Sequence, residues 1–312
     1  MPPEKPFPKI AEHSFAAVIR RYLASEKFKR LAPSTQEGYR RILAVAERPE
    51  VLGAYDALAM RPSLVQAFLD GLSDRPGTQA VAKSVLQALG KWAVVRDLLP
   101  RSITEGTEVA RSKGGHEPWS DAEVALAEAH ARPALARVIT LAANTGQRRS
   151  DLVRMRWSDF DYEGDQLGIK VVQKKTGLKL WVPFTEEFCE ILKTWERRPG
   201  FICLNDWGRP WKPVVLSIQW QRERDTNPAL APLKQADRVL HGLRATACVR
   251  LNRAGSTARQ IADMVGMSVQ TVERYLRHSV QRENALAAVL HLNRARNAVR
   301  TPARATRTNR KD

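Results

Sequence analysis

Hydrophobic periodicity constrains the fold of this chain more than any other feature. Apolar residues recur at helical spacing over residues 14–103 and over most of residues 119–291, a period that is typical of amphipathic helices. One stretch departs from it: QLGIKVVQ, the turn KKTG and LKLWVPF alternate apolar and polar residues, which indicates a β-hairpin. The sequence therefore predicts a mainly α protein whose second domain is α+β, with a small β-hairpin or sheet.

The first region, residues 14–103, predicts a small all-helical domain behind an N-terminal extension, residues 1–13. Its apolar stripes lie at Phe15, Val18, Ile19 and Tyr22, in SLVQAFLDGL up to Gly71, and at Val81, Val85, Ala88 and Trp92. Ser34 and Glu37 stand three residues apart behind Pro33, the spacing of a capping box at the start of a helix.

A linker and a second domain are expected to follow. Residues 104–118, TEGTEVARSKGGHEP, have no apolar period and contain a Gly-Gly pair, which indicates a linker. Ser120 and Glu123 form another capping pattern, and an apolar helix stops at Gly146. QRRSDLVRMRWSDFD predicts a short helix before the hairpin. Later helices are expected in TEEFCEILKTW, LSIQWQRER, LHGLRATACVRLNRAG, TARQIADMVG and SVQTVERYLRH.

The charge of the chain indicates a polyanionic partner. It has 51 Lys plus Arg against 33 Asp plus Glu, a formal charge of +18, which favours nucleic acid. A ribosome-associated or merely soluble basic protein has the same composition. Residues 292–312 predict a basic disordered tail. Basic residues of the first domain could follow a phosphate backbone, although solvated helix faces look the same: Lys27, Lys29, Arg30, Arg40, Arg41, Lys83 and Lys91.

Cysteine usage and the N-terminus indicate the compartment. Cys189, Cys203 and Cys248 are far apart and form no C-x-x-C pair, which argues against a disulfide framework or a zinc knuckle. MPPEKPFPKIAEHSF lacks the apolar core of a signal peptide. No run approaches the ~18 apolar residues of a membrane span. We expect a cytoplasmic protein with no membrane partner.

Four features of the second domain could carry chemistry. Arg148 follows the helix stop, Lys175 lies at the hairpin tip, His241 and Arg244 share one helix face, and Tyr275 lies on an amphipathic helix. Taken singly, each has an ordinary structural explanation: a solvated Arg, a surface Lys, a partly buried His-Arg pair and a core-packed Tyr.

Together and in this order, these segments resemble the tyrosine recombinase family, the phage-type integrases. TGQRRSDLVRMRWSDFD is similar to the family's first-arginine box, KKTGLKLWVPF to its hairpin lysine element, HGLR to its H-x-x-R box, and GMSVQTVERYLRH to its tyrosine segment. The resemblance implies a helical core-binding domain over residues 14–103 and a catalytic domain over residues 119–291. It also implies a site-specific recombinase that needs no cofactor and no metal.

The resemblance further implies a role for each catalytic residue. Arg148 and Arg244 would stabilise the charge on the nonbridging phosphate oxygens. Lys175 would protonate the leaving 5′ oxygen as general acid, and His241 would act as acid or base. Tyr275 would be the nucleophile that forms a covalent 3′-phosphotyrosine bond.

Three further residues belong to the same pattern. Lys174 is the register alternative to Lys175, and Asp151 matches an acidic position, where it would orient basic groups. Met267 stands where the family usually has His or Trp, and its interval to Tyr275 is one residue shorter than is typical. Met cannot donate a hydrogen bond to a phosphate oxygen. If this position contributes a donor, its loss would lower the rate by ~10²–10³; the alternatives are that another group substitutes or that Met267 serves by packing alone.

Two other functions share parts of this pattern. ARQIADMVGMSVQTVERYLR also resembles a helix-turn-helix unit of a non-catalytic regulator, in which Tyr275 packs and Arg274 contacts a groove. A type IB topoisomerase uses the same catalytic set without exchanging strands. The recombinase hypothesis explains all four segments. It implies three partners: a double-stranded DNA recombination site, further copies of the chain in a tetramer on DNA, and an accessory directionality protein.

Overall fold

The protein has two compact units, Met1–Gly114 and Gly115–Asp312. A computed structural model describes residues 12–110, 116–279, 285–286, 288–290 and 292–293. Most of the predicted N-terminal extension and basic tail therefore lies outside the described residues. Among the described residues, no helix combines the length and the apolar character needed to cross a membrane.

The predicted mainly α fold with a small sheet is confirmed. The helices are α1 (Phe15–Ala24), α2 (Glu26–Lys29), α3 (Pro33–Ala46), α4 (Pro62–Asp70), α5 (Pro76–Val94), α6 (Asp121–His130), α7 (Pro133–Thr145), α8 (Arg149–Leu152), α9 (Glu186–Thr194), α10 (Pro213–Thr226), α11 (Ala231–Gln235), α12 (Gly242–Arg253), α13 (Ala258–Val265) and α14 (Val269–Ser279). The strands are β1 (Phe160–Glu163), β2 (Gln166–Val172) and β3 (Lys179–Pro183).

The first unit is an all-helical bundle around one apolar core. The predicted stripe on α1 is confirmed, because all four of its members are buried. On α5 the prediction of Val81 is wrong: its side chain is 49% exposed, and Ala82 is buried instead. Helix α5 carries apolar residues around most of its circumference, so helical spacing alone does not fix the buried face.

The start of α3 also differs from the sequence prediction. The helix begins at Pro33, its N-cap residue is Ala32, and no side chain caps it. Proline suits the first helical position because that residue has no intrahelical partner for a backbone N–H. Ser34 therefore lies inside the first turn, and the capping box predicted with Glu37 is not formed.

Part of the predicted linker packs on the first unit. Thr104 and Thr107 are buried. The Gln66 side chain accepts from the backbone N–H of Glu108, and the Gln79 side chain accepts from that of Ala110. The described residues up to 110 are thus held by hydrogen bonds to α4 and α5.

The second unit is built around α7, which packs against α6 and α12. Gly146 ends α7 in the left-handed conformation, with a φ of 62°. A Cβ at this position would lie 3.0 Å from both Ala247 and Val265. Glycine therefore permits both the turn and the close approach of α12 and α13.

The sheet is three-stranded and antiparallel, in the order β1-β2-β3. The predicted hairpin is confirmed as β2 and β3, with Ile169 opposite Val182. Strand β1 falls where the sequence predicts the end of a helix over residues 147–161. That helix is only α8, and a 3₁₀ turn at Trp157–Asp159 leads into β1. A four-residue strand is too short to show a reliable alternation.

Helices α12, α13 and α14 share a separate apolar cluster. Cys248 of α12, Ile261 and Val265 of α13, and Val272 and Leu276 of α14 pack together. Helix α13 has a complete capping box at Thr257 and ends at Gly266, whose φ is 71°. This packing fixes the start of α14 relative to α12.

Candidate active site

The five predicted catalytic residues line one open cleft of about 530 Å³ in the second unit. They are Arg148, Lys175, His241, Arg244 and Tyr275. The loop after α7, the hairpin turn, the start of α12 and the exposed side of α14 each contribute. Other residues of the same cleft are Thr176, Leu178, Gly266, Met267, Ser268 and Thr271.

Arg244 is held by backbone carbonyls at the ends of two helices. Its side chain is buried, Nη1 donates to the carbonyl oxygen of Gly146 at 2.7 Å, and Nη2 donates to that of Gly266 at 3.0 Å. Both glycines terminate helices, where the helix dipole favours a cation. Burial, followed by the charge of Arg148, lowers the pKa of Arg244 to about 10, so it remains a cation at neutral pH.

Arg148 is held by a side chain instead. It is half-buried at the N-terminal end of α8. Its Nη1 donates to Gln173 Oε1 at 2.5 Å. The effect of Arg148 on the pKa of Arg244 places two like charges in one cleft. Such a pair is costly without an anion and is suited to a phosphate group.

The hairpin turn brings one of its two lysines to the cleft. Lys175 lines it, whereas Lys174 is not among the lining residues. The backbone N–H of Lys174 donates to Asp151 Oδ1 at 2.8 Å. Asp151 is 2% exposed, and among the described residues it forms no ion pair. Asp151 thus binds the hairpin turn through the backbone N–H of Lys174 and not through a basic side chain.

His241 immediately precedes α12 at the rim of the cleft. Its ring lies 5.3 Å from the ring of His116, in an edge-to-face arrangement. Desolvation by the surrounding protein, followed by the charges of His116 and Arg244, lowers the pKa of His241 to about 4. The imidazole is therefore neutral at physiological pH, and its low pKa makes it a weak proton acceptor until a negative charge lies beside it.

Tyr275 lies on α14, between the apolar cluster and the cleft. Val272 and Leu276 are the fully packed residues of this helix. Tyr275 is half-buried against them and lines the cleft. Burial raises the pKa of Tyr275 above its ordinary value, while the charges of Arg244 and Arg148 act in the opposite direction.

Met267 lines the cleft as the sequence pattern predicts, and it is half-buried. Hydroxyl groups lie beside it. Ser268 Oγ and Thr271 Oγ1 are 2.8 Å apart, and both residues belong to the same cleft. These hydroxyls are hydrogen-bond donors that the sequence comparison did not single out.

Two other polar residues near the site were missed. His116 belongs to a second, larger cleft of about 700 Å³, which shares Arg148 and His241 with the first and adds Arg149. Gln173 is 0% exposed. It follows Ile169 and Val171 at the next inward position of the β2 alternation. The sequence signal that could have identified Gln173 is a polar residue at a position where the alternation predicts an apolar one.

The predicted DNA contacts of the first unit differ in their surroundings. Four of them contact neighbouring residues: Lys29 pairs with Glu26 and Arg41 with Glu37, Arg40 stacks on Phe28, and Lys83 donates to the carbonyl oxygen of Thr107. Lys27, Arg30 and Lys91 are exposed. Within the described part of the chain, their side chains form neither ion pairs nor hydrogen bonds.

The sequence matches the model of the phage integrase family over residues 123–282. This is more than half of the chain, and it contains all five predicted catalytic residues. The chain belongs to the phage integrase family. No curated protein shows a significant match to it.

Solved integrase structures share the fold. A lambda integrase dimer bound to a COC′ core site is 19% identical, with a TM-score of 0.66 over 84% of this chain and 77% of that chain. A lambda integrase tetramer bound to a Holliday junction is 19% identical, with a TM-score of 0.65 over 82% of this chain and 77% of that chain. The Tn1549 transposon integrase (residues 82–397) in complex with circular intermediate DNA is 16% identical, with a TM-score of 0.66 over 84% and 94%.

Proposed function

We propose that this phage integrase family member is a site-specific DNA recombinase that cuts and rejoins DNA through a covalent 3′-phosphotyrosine bond to Tyr275. The observation that carries the proposal is the single cleft lined by Arg148, Lys175, His241, Arg244 and Tyr275. A nucleophile, two cations for a phosphate, a neutral base and an ammonium group thus lie in one place.

The proposed cleavage step is a phosphoryl transfer. Tyr275 Oη attacks the phosphorus, and the bond between phosphorus and the 5′ oxygen breaks. His241, neutral at its low pKa, takes the phenol proton, and Lys175 gives a proton to the departing 5′ oxygen. The 5′ hydroxyl of another strand reverses the step and rejoins the DNA, so the bond energy is retained without a nucleotide or a metal.

The two arginines stabilise the transition state of this step. Negative charge grows on the nonbridging oxygens as the tyrosine attacks, and guanidinium groups fixed in advance lower its energy. Arg244 is fixed by two carbonyl groups, and Arg148 by one amide. Ser268 and Thr271 offer hydroxyl donors beside Met267, where the family usually supplies His or Trp.

The first unit serves as the core-binding domain in this proposal. Of the seven predicted DNA contacts, Lys27, Arg30 and Lys91 are exposed and form no ion pair within the described residues, so we assign contacts with phosphates to these three first. Residues of the basic tail, outside the described part of the chain, add charge without sequence preference. Many such contacts release counterions, so DNA affinity should fall steeply with salt.

Recombination also requires assembly on DNA. Four protomers act on two duplexes in the proposed reaction, and a lambda integrase tetramer of the same fold has been solved on a Holliday junction. Leu286, Val289 and Leu290 are 62%, 51% and 48% exposed, which makes them candidates for contact with another copy. The accessory directionality protein and the cytoplasmic location remain predictions.

A non-catalytic helix-turn-helix regulator is the principal alternative. It assigns Tyr275 to the packing of α13 against α14, and Tyr275 does contact that apolar cluster. It gives no role to Arg148, Lys175 or His241, which line the same cleft. Covalent chemistry separates the two functions, because a regulator forms no bond to DNA.

The test uses DNA of random sequence, since the target site is unknown. The protein is incubated in EDTA with a library of duplexes that have a randomised core and a nick near its centre. The nick lets the short cleaved fragment diffuse away and traps the adduct. We expect duplexes that stay bound to the protein in denaturant through a 3′ phosphate. Recovery of bound duplexes only under native conditions would support the regulator instead.

A further inference from the structure

Gln173 is a buried polar side chain that joins several segments of the cleft. Its Oε1 accepts from Arg148 Nη1 at 2.5 Å and from Thr176 Oγ1 at 3.1 Å. Its Nε2 donates to the carbonyl oxygen of Val265 and to Gln147 Oε1, both at 3.0 Å. An amide has two acceptor sites and two donor hydrogens. Its full hydrogen-bonding capacity is therefore used, which fixes its orientation.

Gly266 gives this amide the room it needs. A Cβ at position 266 would lie 2.3 Å from Gln173 Nε2 and 2.4 Å from Leu180 Cδ1. The carbonyl oxygen of Gly266 accepts from Arg244 Nη2 at 3.0 Å. Two successive carbonyls, those of Val265 and Gly266, thus hold Gln173 and Arg244. Through Gln173 they also hold Arg148.

The backbone of Gln173 closes the turn that carries Lys175. The N–H of Gln173 donates to the carbonyl oxygen of Leu178 at 2.9 Å, and the N–H of Gly177 donates to that of Gln173 at 2.8 Å. The Thr176 hydroxyl reaches the same Oε1 that holds Arg148. A change at this one amide therefore affects both Arg148 and the turn.

We propose that Gln173 is a positioning residue for strand cleavage, which sets Arg148 and the Lys175 turn in register with Arg244 of α12, whose guanidinium is held at the end of α13. It acts through these groups and not on the reacting atoms. The inference rests on the recombinase function proposed above. Misplacement of catalytic groups by about 1 Å lowers rates on the order of 10²-fold, and we expect losses of this order.

Two variants remove different parts of the network. Gln173→Glu keeps the acceptor for Arg148 but loses the donor to Val265 and places a negative charge against the guanidinium. Gln173→Leu removes every side-chain hydrogen bond. Gln166→Glu is the matched control: Gln166 is the first residue of β2, and Gln173 directly follows the last residue of that strand. The Nε2 of Gln166 donates to the carbonyl oxygens of Leu167 and Phe184, and the residue lies outside the cleft.

The assay measures single-turnover adduct formation on a nicked duplex recovered from the random library, together with its dissociation constant and the thermal midpoint of each protein. Two chemically altered copies of that duplex separate the roles. A methylphosphonate at the cut site removes one nonbridging charge, so cleavage depends less on Arg148. A 5′-bridging sulfur leaves without a proton, because thiols have a pKa of about 8.5, so cleavage depends less on Lys175.

We expect both Gln173 variants to bind the duplex like the wild type and to cleave it about 100-fold more slowly. For Gln173→Glu, the ratio of the wild-type to the variant cleavage rate should fall at least tenfold on the methylphosphonate duplex. For Gln173→Leu, the same ratio should fall at least tenfold on at least one of the two altered duplexes. Three outcomes would overturn the inference. Either Gln173 variant cleaves at the wild-type rate, Gln166→Glu loses as much cleavage rate as the Gln173 variants, or the ratio of wild-type to variant rates stays the same on both altered duplexes. A wild-type protein that forms no adduct would refute the recombinase function and this inference with it.

Discussion

The two arginines of the cleft are held in different ways. Arg244 is buried and donates to two backbone carbonyls, at Gly146 and Gly266. Arg148 is half-buried and donates to one side chain, Gln173, which also contacts the exposed hairpin turn. The helix junction around Arg244 is therefore built from backbone, and the hairpin side of the cleft from side chains on a turn.

In the proposed reaction, this difference would separate charge stabilisation from proton delivery. Charge stabilisation in that reaction needs groups fixed in advance, and the helix junction would supply them. Proton delivery needs a group that can follow the leaving oxygen, and Lys175 lies on an exposed turn. The junction should thus be sensitive to the shape of the Arg244 side chain, whereas at Lys175 the proton of the side chain should matter more than its packing.

Arg244→Lys is expected to have the largest effect. A single ammonium cannot hold both carbonyls and also present a planar fork to the phosphate, so cleavage should fall about 10³-fold with DNA binding retained. Single-turnover adduct formation measures this loss. Arg250→Lys is the control on the same helix, because Lys can keep the ion pair with Asp121. Equal rates for the two variants would contradict the role of the junction.

Lys175→Ala is expected to slow cleavage by about 10²–10⁴-fold, the usual value of a general acid. The thermal midpoint should not change, because the side chain is exposed. A duplex with a 5′-bridging sulfur should restore most of the rate. Lys174→Ala, the control on the adjacent residue, should cleave normally. The assignment to Lys175 is wrong if the two lysine variants show the opposite pattern.

A smaller effect is expected from acid. The pKa of His241 is about 4 in the folded protein, below the ordinary 6.5 of an unfolded chain. The unfolded state then binds more protons between these values. The free energy of unfolding is therefore unaffected by His241 above pH 6.5, and it decreases as the pH falls from 6.5 toward 4, because protonation then favours the unfolded state. NMR titration should place the midpoint of His241 well below 6.5, and His241→Gln should flatten the dependence of the thermal midpoint on pH. A midpoint near 6.5 would contradict the lowered pKa that desolvation gives to His241.

The sequence predicts most of the fold because its signals are local. Gly146 ends α7 in the sequence pattern and in the structure, and the alternation around Ile169 correctly predicts the hairpin. Four separated motifs also point to the cleft residues. What local signals miss is set by tertiary contacts: the buried face of α5, where Val81 is exposed, and the pairing of the short strand β1.

The hydrogen-bond network of the site lies beyond sequence patterns for the same reason. Gln173 contacts Gln147, Arg148 and Val265 only because the sheet and α13 meet there. A polar residue in an apolar alternation marks such a position but does not identify its partners. The position of His116 beside His241 likewise depends on how the chain enters the second unit.

The central claim is that Tyr275 forms a covalent bond with DNA, and mass spectrometry of the trapped adduct tests it most directly. The adduct is digested with nuclease and protease, and the peptide that carries the nucleotide is sequenced, for the wild type and for Tyr275→Phe. The change removes one hydroxyl group and leaves the packing against Val272 and Leu276 nearly intact, so folding and DNA binding should persist. We predict a nucleotide joined through its 3′ phosphate to Tyr275 in the wild type and no adduct in Tyr275→Phe. An adduct in the variant, or a modified residue other than Tyr275, would contradict the account.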